Sequence, residues 1–130
     1  PEARFSLPYV VATGLRFDRV RLAAFTDERL QDPQTRALMA RIELTVDAEL
    51  DAAFPSRRAA RVSITTHDGR HESFLQPTRK GDPELPLSDA DLDDKFIELA
   101  GPVLGDARAR RMLALLWELE QSKELCVFGD

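Results

Sequence analysis

An Asp–Gly dipeptide at positions 68 and 69, between two runs of alternating residues, is the feature that most constrains how this chain folds. Asp–Gly is a strong short-range signal for a β-hairpin, because glycine readily adopts the positive φ that tight hairpin turns require. The preceding run, residues 59–66, alternates through Val62 and Ile64. A two-residue turn at Asp68 and Gly69 would pair Thr66 with His71, Ile64 with Ser73, and Val62 with Leu75.

Residues 41–47 alternate in the same manner. Ile42, Leu44 and Val46 would share one face, and the residues between them are charged or polar. This period of two predicts a further, half-buried strand.

Helical signals lie on both sides of these strands. Helices are predicted over residues 5–15, 26–30, 33–40, 88–100 and 106–120. Ser6 is the expected N-cap of the first helix, and Asp32–Pro33 begins the third. Gly14 is expected to end the first helix and Gly101–Pro102 the fourth. Ser88 and Asp91 form a capping-box pattern at the start of the fourth helix. The order of helices, strands and helices predicts an α+β fold. We expect a single domain over residues 1–130, with a small antiparallel sheet (the hairpin plus one or more strands) packed against helices.

Composition excludes several classes of protein. The formal net charge of -5 argues against nucleic-acid binding, which needs clustered Lys and Arg. The single cysteine, Cys126, excludes an intrachain disulfide and a multi-cysteine zinc site, and it favours a reducing cytoplasm. The sequence has no apolar run of the roughly 18 residues that span a bilayer, and no signal peptide pattern. The start at Pro1, without methionine, suggests a cut inside a longer protein.

Two basic pairs in predicted loops are candidates for binding an anionic substrate. They are Arg57–Arg58 and Arg79–Lys80. Arginine matches the geometry of a carboxylate, and Gly81 next to the second pair allows a ligand to approach the backbone closely. The alternative is that each pair is only solvated. Of the two, Arg79 and Lys80 are the better candidates for substrate binding.

The remaining residues that could carry catalysis or bind a metal fit structural roles better. His67 and His71 flank the hairpin turn on opposite faces in the expected register, so we predict no metal site. The acidic residues at the start of the fourth helix fit capping and the helix dipole better than acid–base work: Asp89, Asp91, Asp93 and Asp94. Cys126 lacks an activating histidine nearby in sequence, and Trp117 fits helix packing.

Three segments, in order along the chain, resemble the C-terminal domain of the MmgE/PrpD family. Residues 4–12, RFSLPYVVA, resemble the stretch FSLPYAVA, and residues 22–38, LAAFTDERLQDPQTRAL, resemble the pattern F.D..L.DP.V..L. Residues 80–89, KGDPELPLSD, followed by Leu92, Lys95 and Phe96, resemble the signature KGDPENPLSDEELEAKF. The predicted strand 41–47 and the hairpin lie between them in the expected order. Leu85 departs from this signature, in which related sequences often carry asparagine.

The resemblance implies a lid-type α+β domain of a larger enzyme whose helical N-terminal domain is absent from this chain. Enzymes of this family include 2-methylcitrate dehydratase of propionate metabolism, cis-aconitate decarboxylase and an iminodisuccinate epimerase. The implied chemistry is proton transfer at carbon next to a carboxylate, with no metal or organic cofactor and with most catalytic residues in the helical domain. Tyr9 matches a family tyrosine that points into the cleft, and a phenol can donate a proton or a hydrogen bond there.

The implied partners are a small carboxylate substrate and the helical domain, with no nucleic acid and no membrane. We expect the whole protein to be a cytoplasmic homodimer and this chain alone to be inactive. The alternative is a non-catalytic binding or oligomerisation module that uses the apolar face of the first helix. The sequence does not choose the substrate or the reaction.

Overall fold

The computed structural model describes residues 2–121. Its contacts divide the chain into two compact units, Pro1–Ala52 and Ala53–Asp130. The helices lie on both sides of a two-stranded antiparallel sheet in sequence, which confirms the predicted α+β class.

The first unit is helical. Its α-helices are α1 (Leu7–Phe17), α2 (Asp27–Gln31), α3 (Pro33–Met39) and α4 (Ala48–Ala52), and short 3-10 helices span Glu2–Phe5 and Leu22–Phe25. The Ser6 hydroxyl accepts a hydrogen bond from the Tyr9 N–H at 3.3 Å, which makes Ser6 the predicted N-cap of α1. The prediction that Gly14 ends α1 is wrong. The helix continues to Phe17, and Asp18, at a φ of 65°, closes it by donating to the Gly14 carbonyl at 2.9 Å.

A small buried core joins α1 to its neighbours. α1 packs against α3, and the buried side chains of this unit are Tyr9, Ala12, Thr13, Ala24 and Thr35. Asp32 is the N-cap of α3: its Oδ2 accepts from the Thr35 N–H at 2.7 Å and from the Thr35 hydroxyl at 2.6 Å. Arg16 of α1 forms an ion pair with the same carboxylate. One carboxylate therefore starts α3 and ties it to α1.

The predicted strand over residues 41–47 is wrong. The segment is a turn followed by irregular chain, with Leu44 and Val46 exposed. A segment with alternating apolar and polar residues forms a strand only when another strand supplies partners for its backbone hydrogen bonds. The sheet described within residues 2–121 consists of the hairpin alone.

The hairpin forms where it was predicted, in a register shifted by one residue. Strands β1 (Ala60–Thr65) and β2 (His71–Gln76) pair Thr65 with His71, Ser63 with Ser73, and Val62 with Phe74. The Thr66 N–H donates to the Arg70 carbonyl at 2.9 Å, so the loop has three residues, 67–69, and not two. Because side chains alternate between the two faces of a sheet, shifting the register by one residue moves the side chains of one strand to the opposite face relative to the other strand. Both faces are largely exposed, so the expected cover of helices over the sheet is not seen in the described residues.

Gly69 has the positive φ that the sequence predicted, 84°, at the last position of this loop. Three-residue hairpin loops place a residue with a left-handed backbone conformation at this position. A Cβ atom built on Gly69 would meet no atom within 4 Å outside its chain neighbours. Replacement therefore strains the backbone without a clash. We expect Gly69→Val to lower the free energy of unfolding by about 1 kcal/mol, measured by urea titration with Trp117 fluorescence. Gly69→Asn should have a smaller effect, because asparagine tolerates this region. A valine variant no less stable than the asparagine variant would contradict the assignment.

Two α-helices and a short 3-10 helix, Leu119–Gln121, follow the hairpin in the described part of the second unit. α5 (Asp89–Leu104) begins with the predicted capping box, in which Ser88 and Asp91 exchange hydrogen bonds. The predicted break at Gly101–Pro102 is wrong, because α5 runs through Pro102 to Leu104 and ends at Gly105, whose φ is 78°. α6 (Asp106–Trp117) packs on α5. Trp117, which is 48% exposed, donates its indole N–H to Asp93 of α5 at 2.7 Å and so links the two helices.

Candidate functional site

Tyr9 lies inside the first unit, not at its surface. Its side chain is 3% exposed, its ring packs at 6.0 Å from the ring of Phe25, and its hydroxyl donates to the Ala24 carbonyl. The single O–H of the phenol is thereby committed to holding α1 against the 3-10 helix Leu22–Phe25. The catalytic role predicted for Tyr9 stays a prediction, and in this conformation it would require the hydroxyl to leave Ala24.

Tyr9→Phe separates these two roles. Removing the hydroxyl leaves a buried carbonyl without its donor, so we expect the free energy of unfolding to fall by about 1 kcal/mol. Ser73→Ala, which removes an exposed hydroxyl, should change it by less than about 0.5 kcal/mol. In a longer active protein, a kcat per folded molecule that stays within a few-fold of the parent value would assign Tyr9 to packing alone. A drop of about a hundredfold in kcat with unchanged stability would establish the catalytic role instead.

Arg79 is fixed by the loop that contains it. Its guanidinium donates from Nε and Nη2 to the two carboxylate oxygens of Asp82, at 3.1 and 2.8 Å, and its backbone N–H also donates to Asp82. The hydrogen bond from Arg79 lowers the pKa of Asp82, and the hydrogen bond to Asp82 raises the pKa of Arg79. Because the arginine is 58% exposed, this bidentate pair orients the side chain without removing it from solvent.

Lys80 points to a different partner. Its Nζ donates to Asp91 Oδ1 at 2.6 Å, while Asp91 Oδ2 accepts from the hydroxyl and the N–H of Ser88. The lysine hydrogen bond, followed by those from Ser88, lowers the pKa of Asp91 to about 2. Arg79 and Lys80 are adjacent in sequence, but the structure gives each a separate carboxylate, so they do not form one binding group by themselves.

The lowered pKa of Asp91 predicts a pH dependence of stability. A carboxyl group whose folded pKa lies below its ordinary value of 3.8 stabilises the fold above that value, and the contribution is lost as pH falls through about 2. We expect the difference in Tm between the parent chain and Asp91→Asn to be constant above about pH 5 and to shrink below about pH 4. Thermal melts at a series of pH values measure it. A difference that stays constant down to about pH 2 would contradict this assignment.

A basic depression brings Arg79 together with the other arginine pair. Residues 55–58 line a surface cavity of about 230 Å³ together with Thr78, Arg79, Asp82 and Glu84, and its cations are Arg57, Arg58 and Arg79. Arg58 lies over the ring of Phe54, at 5.5 Å from its centroid, and also contributes to the lowered pKa of Asp82. The two basic pairs lie in separate predicted loops, and nothing in the sequence indicated that they share one cavity.

The remaining candidates stay structural. The His71 ring bonds the Thr65 hydroxyl at 3.0 Å on the hairpin, while His67 lies in the loop. Asp91 and Asp93 are engaged by Lys80 and Trp117, and Cys126 lies outside the described residues. Within residues 2–121, no three His, Cys, Asp or Glu side chains group as metal ligands would. None of the helices described there has the length and apolar character needed to cross a membrane.

Comparison with known proteins supports the family assignment. A family model for the MmgE/PrpD C-terminal domain matches residues 1–121. Cis-aconitate decarboxylase from Homo sapiens is 26% identical over 126 residues, which cover 97% of this chain and 26% of the human protein. Cis-aconitate decarboxylase from Mus musculus matches at the same identity and coverage. The chain thus spans about a quarter of the length of these relatives. Because the model extends over nearly all of it, this chain belongs to the MmgE/PrpD family, as its C-terminal domain.

Proposed function

We propose that this chain is the C-terminal domain of an enzyme that acts on small di- or tricarboxylates by proton transfer next to a carboxylate. The observation that carries the proposal is the family match over residues 1–121, together with similarity to cis-aconitate decarboxylase along 97% of the chain. The reaction is a dehydration, a decarboxylation or an epimerisation, and it requires no metal or organic cofactor.

In this proposal most of the proton-transferring groups come from a helical N-terminal domain, and Tyr9 remains the catalytic candidate of this chain. The described part of this chain supports that division, since its single tyrosine is buried and its histidines lie on an exposed hairpin. A carbon next to a carboxylate becomes more acidic when cations or hydrogen-bond donors stabilise the negative charge that develops on the carboxylate oxygens. Arginine and lysine side chains of this domain would supply part of that stabilisation.

Arg79 and Lys80 are proposed as substrate-binding residues. Both are more than half exposed, and both already hold a carboxylate, Asp82 and Asp91 respectively. That each side chain already binds a carboxylate supports the proposal. Arg79 uses two of its five N–H donors on Asp82, so it can bind a substrate carboxylate without releasing that partner. Lys80 has three N–H donors and gives one to Asp91, so it can also bind a second carboxylate.

The test is solvent exchange in the longer protein that contains this chain. The protein is incubated in D₂O with cis-aconitate, 2-methylcitrate and a panel of other di- and tricarboxylates, and NMR follows deuterium entering the carbon next to a carboxylate. We expect incorporation or product formation with at least one of them, and undiminished rates after dialysis against a chelator. Absence of both with every compound would reject the proposal.

A non-catalytic assembly role is the second candidate, favoured by exposed apolar side chains around α1. Phe5 is 88% exposed, and Leu7 and Leu15 are also exposed. Single exposed apolar residues are normal, but these three lie at or beside one helix. Light scattering of the chain alone tests this role: a stable oligomer that Leu7→Ser dissociates would favour it. The homodimer and the cytoplasmic location of the whole protein stay predictions.

A further inference from the structure

We propose that the depression lined by Arg57, Arg58 and Arg79 is a binding site for small polycarboxylate anions. The inference deepens the proposed function, because the choice of polycarboxylates over other anions rests on it. The existence of an anion site rests on the geometry of the depression alone. Its residues come from two loops on either side of the hairpin, residues 55–58 and 78–84.

The three arginines are arranged for a ligand with more than one carboxylate. Arg79 is held in place by Asp82, which leaves three of its five N–H donors for another acceptor. Arg58 is held over Phe54 at 5.5 Å. The Arg57 backbone N–H bonds the Ala53 carbonyl at 2.9 Å, and no side-chain acceptor for its guanidinium is found among residues 2–121. Two oriented guanidinium groups and a third without an acceptor fit separate carboxylates of one anion better than a single carboxylate.

The charge of the depression is positive but moderate. Asp82 and Glu84 also line it, so three arginines face two acids. Asp82 is committed to Arg79, whereas Glu84 opposes an incoming anion. All three arginines are exposed, so water and salt weaken each contact. We therefore expect a dissociation constant of about 1 mM for citrate at low salt.

Citrate titration of this chain, followed by NMR, tests the site. The backbone amides of residues 56–58, 78–82 and 84 should shift together and saturate. Arg57→Gln with Arg58→Gln should weaken binding about tenfold, and Glu84→Gln should tighten it about threefold. Arg110→Gln with Arg111→Gln, which changes the same number of charges on the exposed face of α6, should leave it within about twofold. Phosphate and acetate should bind more weakly than citrate.

Three results would overturn the inference. They are equal weakening by the Arg110 and Arg111 control pair, shifts that avoid residues 55–58, and phosphate binding at least as tight as citrate. Glu84→Gln keeps every arginine, so it remains informative if the double arginine variant fails to fold. The outcome is also separate from the proposed function. Citrate binding here without deuterium exchange in the longer protein would reject the proposed function but not the anion site. Deuterium exchange in the longer protein without citrate binding here would reject only the anion site.

Discussion

Asp32→Ala is expected to lower the free energy of unfolding of the first unit by about 3 kcal/mol. The substitution removes the N-cap of α3, which alone contributes about 1 kcal/mol. It also leaves Arg16 and the buried Thr35 without their shared acceptor. Breaking a fully buried ion pair costs 3–5 kcal/mol, and the 20% and 25% exposure of the Arg16 and Asp32 side chains reduces that figure.

Two controls identify which part of the Asp32 effect comes from charge. Asp32→Asn keeps a good N-cap and loses the ion pair, so it should cost about half as much. Asp27→Ala removes an exposed acid from the first turn of α2 and should cost less than about 0.5 kcal/mol. Urea unfolding followed by far-ultraviolet circular dichroism is the measurement, because Trp117 reports on the second unit. Equal effects of Asp32→Ala and Asp27→Ala would contradict the shared-carboxylate account of α1 and α3.

The sequence predicted helix caps and the conformation of the turn glycine correctly, because these features depend on residues close together in the chain. Ser6, Asp32 and Ser88 each cap the helix that they were expected to cap or begin, since a cap needs only its own side chain and the next few N–H groups. Gly69 has a positive φ for the same reason. These features depend on neighbours within four residues, which the sequence displays directly.

The errors arose where one local signal fits more than one structure, or where the outcome depends on a partner elsewhere in the chain. Asp–Gly fits a two-residue turn and also a three-residue loop with glycine last. Here Asp68 accepts from the Thr66 hydroxyl and, at 2.8 Å, from Arg70 Nε, and these contacts accompany the longer loop. Residues 41–47 alternate like a strand, but no partner strand pairs with them in the described chain. Periodicity predicts which face is apolar, not whether a second strand is available.

The candidate site shows the same division. The sequence identified Arg79 and Lys80 as a basic pair, yet Lys80 turns to Asp91, eleven positions along the chain. Arg79 instead shares a cavity with Arg57 and Arg58, which lie across the hairpin in sequence. Tyr9 was identified by resemblance, and its burial depends on the Ala24 carbonyl, fifteen residues away. Contacts between residues so far apart in the chain follow from tertiary packing, which a single sequence does not reveal.

The second large effect concerns activity: this chain alone should show no turnover of cis-aconitate or 2-methylcitrate. Abstracting and returning a proton requires a base and an acid positioned on one substrate. In the described residues, the tyrosine is buried and its hydroxyl is bonded, and the acids that contact Arg79 and Lys80, namely Asp82 and Asp91, are held in ion pairs. Loss of general acid–base catalysis removes a factor of about 10² to 10⁴ for each group, so loss of a pair lowers the rate by about 10⁴- to 10⁸-fold.

The measurement that tests the central claim most directly compares this chain with the longer protein that contains it, at equal molar concentration. Both are incubated with cis-aconitate and 2-methylcitrate, and NMR follows substrate loss and product formation. We predict turnover of at least one substrate by the longer protein and a rate at buffer background for this chain, with its fold verified by circular dichroism. Turnover by this chain at a rate comparable to that of the longer protein would contradict the account.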